Sequence, residues 1–325
     1  MGEAHDEIKP QDSAFSAKIS NYIAIARPDH WFKNIFVLPG FLVAVYIAED
    51  VDIARALFVL ALGIVATCLI ASANYTINEW LDAEFDRQHP TKKKRPSAQG
   101  LIVGELVWVQ WAVLSVAGLG LSLAIGTGFF ACAALLLVMG LLYNVNPIRT
   151  KDRVYLDVLS ESLNNPIRFM LGWTVVLGST LPPSSILLAY WMGGAFLMAI
   201  KRFAEFRFID DQALAGRYRV SFKYYTEHSL LASSFFYALT CSFLLGVFLV
   251  KYRIEYLLLM PFVTMLFTGY LWIGLRRDSV AQRPEKLYTE KKYVLFIAVM
   301  CLSFALLSVL DIPWLNLFLE PTLIE

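Results

Sequence analysis

The sequence predicts an all-α membrane protein with nine transmembrane helices. Three observations carry that expectation. The chain of 325 residues is 58% hydrophobic and only 17% charged, with a mean hydropathy of +0.56, whereas a soluble domain is about 45–50% apolar and about 25% charged. Its apolar runs reach the roughly 20 residues that a spanning helix needs, and no alternating strand pattern competes with them. Its Lys and Arg residues fall almost entirely on one side of those runs.

The runs lie at roughly 31–48, 56–78, 103–125, 128–146, 155–178, 185–204, 229–250, 255–275 and 293–311. Residues 1–26 read as a polar N-terminal tail, either disordered or interfacial. Residues 27–312 read as one nine-helix membrane domain. Residues 313–325 read as a C-terminal tail along the membrane surface. The first twenty residues are polar and acidic, so no cleavable signal peptide is expected. Of 28 Lys and Arg, only Arg55, Lys251 and Arg253 fall in loops on one side, and Arg168 lies inside a run. The rest gather in the N-terminal segment and the even-numbered loops. That asymmetry predicts a cytoplasmic N-terminus and an external C-terminus, and it requires an odd number of spans.

Composition excludes several classes. A net charge of +1 gives no electrostatic footprint for nucleic acid. Cys68, Cys132, Cys241 and Cys301 each sit in an apolar run without a CxxC, so they read as packing residues. His5, His30, His89 and His228 have no zinc-ligand spacing. No Walker loop, GxSxG or dinucleotide fingerprint is present. Gly118, Gly120 and Gly126 read as a helix-packing surface.

Three polar clusters follow the second, fourth and sixth runs. The first is Asn78-Glu-Trp-Leu-Asp82-Ala-Glu-Phe-Asp86, then a basic stretch, Lys92-Lys-Lys-Arg95. Asn78, Asp82 and Asp86 are spaced i, i+4, i+8, which places them on one helical face. Like charges at that spacing repel. A divalent cation relieves the repulsion, and oxygen donors of this kind suit Mg²⁺, which takes one or two carboxylates plus substrate phosphates. Lys94, Arg95 and their neighbours are then placed to hold the rest of a diphosphate. The plainer readings are a solvated acidic face and a basic stretch that only orients the chain at anionic lipid. The second cluster holds Tyr143, Lys151, Asp152, Asp157, Glu161, Asn164, Asn165 and Arg168, of which Asp157, Glu161, Asn164, Asn165 and Arg168 recur at helical spacing as a polar stripe on the fifth span. Ionisable groups inside a membrane are functional by default, although an internal brace from Glu161 to Arg168 or Asn165 is the alternative. The third is Lys201-Arg202-Phe-Ala-Glu205, followed by Arg219 and Tyr225-Thr226. There a plain Lys201–Glu205 helix-end pair is the alternative.

Taken together these residues resemble the UbiA-type intramembrane prenyltransferase superfamily. NEWLDAEFD with HPTKKKRPSAQG is similar to its first aspartate motif. Within it the chain is most similar to the polyprenyl-phosphate (decaprenyl-phosphate) phosphoribosyltransferases. An RPxxWxKN opening matches Arg27, Pro28, Trp31, Lys33 and Asn34. A Lys with an Asp six residues on, then an Arg with a Gly four on, match Lys151, Asp157, Arg168 and Gly172. KRxAE matches Lys201, Arg202, Ala204 and Glu205. Glu79 stands where many members have Asp, and Tyr143 is farther from Lys151 than that branch leads one to expect. The resemblance covers about residues 25–310. It implies a nine-helix UbiA-type bundle in the bacterial inner membrane with a cytoplasmic-side active site.

The resemblance further implies Mg²⁺-dependent transfer of a phosphoribosyl group from phosphoribosyl diphosphate to a polyprenyl phosphate lipid. Asn78, Asp82 and Asp86 are the expected metal holders, with Asp82, Asp86 and Asp157 catalytic. Lys33, Lys94, Arg95, Tyr143, Lys151, Arg168, Lys201, Arg202 and Glu205 are the expected substrate binders. Which of Lys92, Lys93 and Lys94 meets substrate stays open. Prenyl transfer from a prenyl diphosphate to an aromatic acceptor uses the same aspartates and is the second reading. A transporter for an anionic solute is the third.

Overall fold

A computed structural model describes residues 10–318 except 89, 90, 179, 210 and 278. The expectations for His5, His89 and the end of the C-terminal tail lie outside the described residues. Among the described residues there is no strand.

Helix α1, Pro10–Ala26, covers much of the segment read as a polar tail, and it buries Ile25 against Ile102 and Val107. A 3-10 helix, Pro28–Val37, leads into α2, Leu38–Ile47. The longest helix, α3, runs Ile53–Leu81 and starts on an Asp52 cap whose carboxylate accepts the Arg55 N–H at 3.1 Å. There follow α4 (Ala83–Arg87), α5 (Gly104–Ile125), α6 (Thr127–Asn144), α7 (Leu156–Ser162) and α8 (Asn164–Leu177). The remainder is α9 (Ser184–Ile209), α10 (Gln212–Tyr218), α11 (Glu227–Tyr252), α12 (Met260–Gly274) and α13 (Lys291–Leu307).

The chain divides into two compact units. The first comprises Met1–Thr150, Met170–Thr180 and Arg217–Val220. Within it α3 packs against α5 and α6. A side chain at Gly140 of α6 would collide with Asn74 of α3, so glycine permits that close crossing, and Asn74 donates to the Leu136 carbonyl at 2.9 Å. Gly118 of α5 does the same against Ile70, as the packing reading expects, while Gly120 meets nothing. The 3-10 helix lies along α3: Asn34 donates to Cys68 Sγ at 3.1 Å and Trp31 to Ser72 Oγ at 2.8 Å. The RPxxWxKN opening therefore pins the chain to α3. Gly172 has a packing reason of its own, since any Cβ there would meet the Val37 carbonyl.

The second unit comprises Lys151–Phe169, Leu181–Gly216 and Ser221–Glu325. Helix α9 packs against α11, α7 and α12. Its core gathers Ala195, Phe196, Ala199 and Ile200 with Tyr237, Tyr270 and Ile273. A side chain at Gly274 would run into Ile200.

Among the described residues, seven segments are long and apolar enough to cross a bilayer: Lys18–Ile47, Ile53–Leu81, Gly104–Ile125, Thr127–Asn144, Ser184–Ile209, Glu227–Tyr252 and Ile254–Gly274. Many large apolar side chains on these helices point outward, Val116 and Phe243 among them, as a lipid-facing surface requires. The chain is an integral membrane protein. Two expected spans differ. The run at 155–178 is two helices, α7 and α8, interrupted at Leu163. Pro166 explains the break, because it has no N–H to continue the ladder to Ser162. The run at 293–311 is met by α13, Lys291–Leu307, which is only 17 residues long.

Candidate active site

In the first unit the aspartate motif keeps its i, i+4 register across a one-residue interruption: the Asp82 N–H donates to the Asn78 carbonyl at 3.1 Å and the Asp86 N–H to the Asp82 carbonyl at 2.8 Å. Helix α3 ends at Leu81, and Asp82 caps it at φ −95, ψ −1 before α4 begins. Asp82 meets a guanidinium far along the chain: Arg149 Nη2 donates to Asp82 Oδ1 at 3.0 Å. Asp86, on α4, is buried and accepts from Arg95 Nη1 at 2.6 Å. Asn78 lies one turn beyond Asn74 on α3, so the crossing that Gly140 permits brings it to Asn144 one turn beyond Gly140. There its Nδ2 donates to Asn144 Oδ1 at 2.5 Å.

Arg149 is held from three directions. Besides Asp82 it donates through Nη1 to the Asn144 carbonyl at 2.9 Å, and its guanidinium lies 5.2 Å from the centre of the Phe85 ring. Its backbone adopts φ 27, a rare conformation for a non-glycine residue. Burial raises the Asp86 carboxyl above its ordinary value; Arg95 and Lys92 pull it back down, and Asp82 pushes it up again. Lys92 hydrogen-bonds the Tyr218 hydroxyl, with its ammonium 4.4 Å from the ring centre. Lys94 is exposed at the end of the Lys92–Lys94 3-10 turn. Of the basic run, Lys92 and Arg95 are thus the members that act on Asp86.

The remaining predicted residues of this unit sit close to the same helices. Lys33 Nζ lies 5.8 Å from the centre of the Tyr75 ring on α3. Tyr143, buried at the end of α6, accepts from Arg219 Nη1 at 3.4 Å. Glu79 is buried on α3, and its Oε1 has no hydrogen-bond partner.

In the second unit one guanidinium gathers three carboxylates. Arg202 on α9, 1% exposed, donates from Nη2 to Glu161 at 2.7 Å, from Nη1 to Glu205 at 3.2 Å and from Nε to Asp157 at 3.4 Å. Asp157 on α7 is wholly buried and also accepts from Tyr225 Oη at 2.7 Å and Ser221 Oγ at 3.2 Å. Tyr225 in turn accepts the Tyr155 N–H at 2.7 Å, which holds Tyr155 at φ 63. Burial, then the Asp157 charge, pushes the Tyr225 phenol above its ordinary value, so it remains a donor. Glu161 is therefore bound to Arg202 across 41 residues, a partner that neither brace proposed for it supplies. Arg168, buried on α8, donates to the Asn164 carbonyl at 3.4 Å. Lys151 is buried in the 3-10 turn Thr150–Asp152, and Lys201 is half-buried on α9.

Sequence reasoning missed Arg149 as a site residue. It counted Arg149 only as one cation of a cytoplasmic loop, and no spacing links it to Asp82. Ser221 was missed as well, for the same reason.

A metal finds oxygen donors only in part. Among the described residues, no group of three or more His, Cys, Asp or Glu gathers that could hold a metal ion. The set Asn78, Asp82 and Asp86 still suits Mg²⁺, whose shell is ordinarily completed by water and substrate phosphate.

Comparison with known proteins follows the same lines. Residues 35–299 match the UbiA prenyltransferase family model. Decaprenyl-phosphate phosphoribosyltransferase of Mycolicibacterium smegmatis is 30% identical over 236 residues, 71% of this chain and 71% of that protein. The Mycobacterium tuberculosis protein of the same name is 29% identical over 200 residues, 61% of this chain and 64% of its own length. Among solved structures, a UbiA homolog from Archaeoglobus fulgidus bound to DMAPP and Mg²⁺ superposes with a TM-score of 0.66 at 21% identity, covering 89% of this chain and 100% of that one. The chain is a membrane transferase that belongs to the UbiA prenyltransferase family.

Proposed function

We propose that the protein transfers a phosphoribosyl group from phosphoribosyl diphosphate to a polyprenyl phosphate carrier and releases diphosphate. The 30% identity to a decaprenyl-phosphate phosphoribosyltransferase over 71% of both chains is the observation that carries this reading. The ordered Lys33, Lys151–Asp157, Arg168–Gly172 and KRxAE residues support it.

Loss of diphosphate from the anomeric carbon builds negative charge on the leaving group. Asn78, Asp82 and Asp86 would hold Mg²⁺, which supplies Lewis-acid stabilisation of that charge. Arg95, Arg149 and Lys92 supply donors for phosphate oxygens, Arg in bidentate fashion. Lys33 and Tyr143 flank the same unit as substrate contacts. In the second unit Glu161, part-exposed beside Arg202, is the acceptor suited to a sugar hydroxyl, while Asp157 and Glu205 hold Arg202 in place. Lys151, Arg168 and Lys201 are that unit's cations for a phosphate. The lipid phosphate is already an anion, so no strong general base is needed.

The bundle is read as nine spans, with the α7–α8 pair and α13 completing the seven. Positive-inside asymmetry supports a bacterial inner-membrane protein with a cytoplasmic N-terminus, a cytoplasmic-side site and an external C-terminus. The test is mass spectrometry of lipids after the detergent-purified protein meets Mg²⁺, phosphoribosyl diphosphate and polyprenyl monophosphate. A phosphoribosylated lipid is expected. No such lipid, with product formed instead from a prenyl diphosphate and an aromatic acceptor, would overturn the reading. Mg²⁺-dependent product without any gradient excludes transport as the activity.

A further inference from the structure

The two aspartates of the motif, Asp82 and Asp86, each carry an arginine. Asp82 is paired with Arg149 and Asp86 with Arg95. Lys92 acts on Asp86 as well. Glu79, the other buried carboxylate nearby, feels both Arg95 and Arg27. Cations therefore at least match carboxylates before any metal is counted. A bare divalent ion brought here gains little from aspartates already neutralised and is repelled by the guanidiniums beside them. Two carboxylates and one amide also leave most of an octahedral shell to be filled from elsewhere. A diphosphate removes both obstacles: its oxygens complete the shell, and its charge is what Arg149 and Arg95 are built to meet.

We propose that Arg149 and Arg95 make the Asn78–Asp82–Asp86 site take a divalent cation together with a diphosphate rather than alone, and that Arg149 sets this preference. The inference rests on the reading of those three residues as metal holders. Arg149 is suited to the part because it is fixed independently of Asp82. The Asn144 carbonyl and the Phe85 ring hold it, and its own N–H is bonded to the Val145 carbonyl at 2.9 Å. Asn144 also accepts from Asn78 through its side chain. One residue thus ties a proposed metal holder to the guanidinium that opposes a lone metal. Arg149 thus acts on the cation through Asp82 and on the diphosphate directly.

The test measures Mn²⁺ binding to the full detergent-purified chain by electron paramagnetic resonance, at fixed free Mn²⁺, with and without inorganic diphosphate. It needs neither sugar donor nor lipid. Saturating diphosphate is expected to tighten Mn²⁺ binding to the wild type by about tenfold or more, within the usual range of coupled binding. Arg149→Gln is expected to bind bare Mn²⁺ about tenfold more tightly than wild type, because a positive charge is gone, and to lose most of the gain from diphosphate. Arg149→Lys keeps the charge, so its bare-ion affinity stays near wild type. A role confined to structure predicts the opposite, weaker metal binding in Arg149→Gln. Should that variant fail to fold, Arg95→Gln carries the same expectation. Wild-type protein that binds Mn²⁺ equally with and without diphosphate would overturn the proposal while leaving the metal reading intact. Absence of Mn²⁺ binding under either condition would remove both.

Discussion

The two polar clusters of this protein use arginine in opposite ways. In the first unit Asp82 and Asp86 of the motif each have their own guanidinium. In the second, one guanidinium, that of Arg202, meets Asp157, Glu161 and Glu205 together, and Asp157 takes two more hydrogen bonds from Tyr225 and Ser221. A buried carboxylate is tolerated only when its lone pairs are used. Asp157 meets that condition from within the protein. Asp82, with part of its side chain open to solvent, is left more room for a ligand. The second cluster is thus a fixed frame, and the first a place where charge can be exchanged.

The largest effect should come from the first cluster. Asp82→Asn or Asp86→Asn is expected to lower phosphoribosyl transfer by about a thousandfold or more, by loss of metal-assisted charge stabilisation. Single-turnover product formation in Mg²⁺ measures it. Near-normal transfer by either variant would equate the two clusters as frames. Next is Arg202→Met, which strands three acids and is expected to cost about 3–5 kcal/mol of stability, read as a fall in the thermal midpoint in detergent. Tyr225→Phe removes one donor from Asp157 and the acceptor of the Tyr155 N–H, so a cost of about 1–3 kcal/mol is expected. If Tyr225→Phe were silent, Asp157 would not be the saturated group described. The smallest contrast lies within the basic run: Lys92→Ala should raise KM for the diphosphate donor several-fold more than Lys94→Ala, because Lys94 is exposed.

Much of the fold was legible because bilayer helices announce themselves by length and apolarity. Seven of the expected runs coincide with helices able to span. The α7–α8 interruption escaped because a hydropathy window averages over Pro166. The aspartate motif was visible from spacing, and so was the KRxAE stretch. Which partner each would meet was not. Spacing left open which lysine of a run of near-identical residues matters; in the fold Lys92 bonds the Tyr218 hydroxyl and Arg95 bonds Asp86. Glu161 had local partners proposed for it, and it meets Arg202 across 41 residues.

By itself, then, the order of residues determined an all-helical membrane chain and placed acids and bases in three clusters at helix ends. Those properties follow from local hydropathy and periodicity, which a chain carries whether or not it is folded. Tertiary structure decided that Arg149 faces Asp82 across 67 residues and that Arg202 joins three acids from two helices. A carboxylate in a medium of low dielectric takes whichever cation the packing of helices delivers, and that delivery depends on crossings such as Gly140 against Asn74 rather than on spacing along the chain.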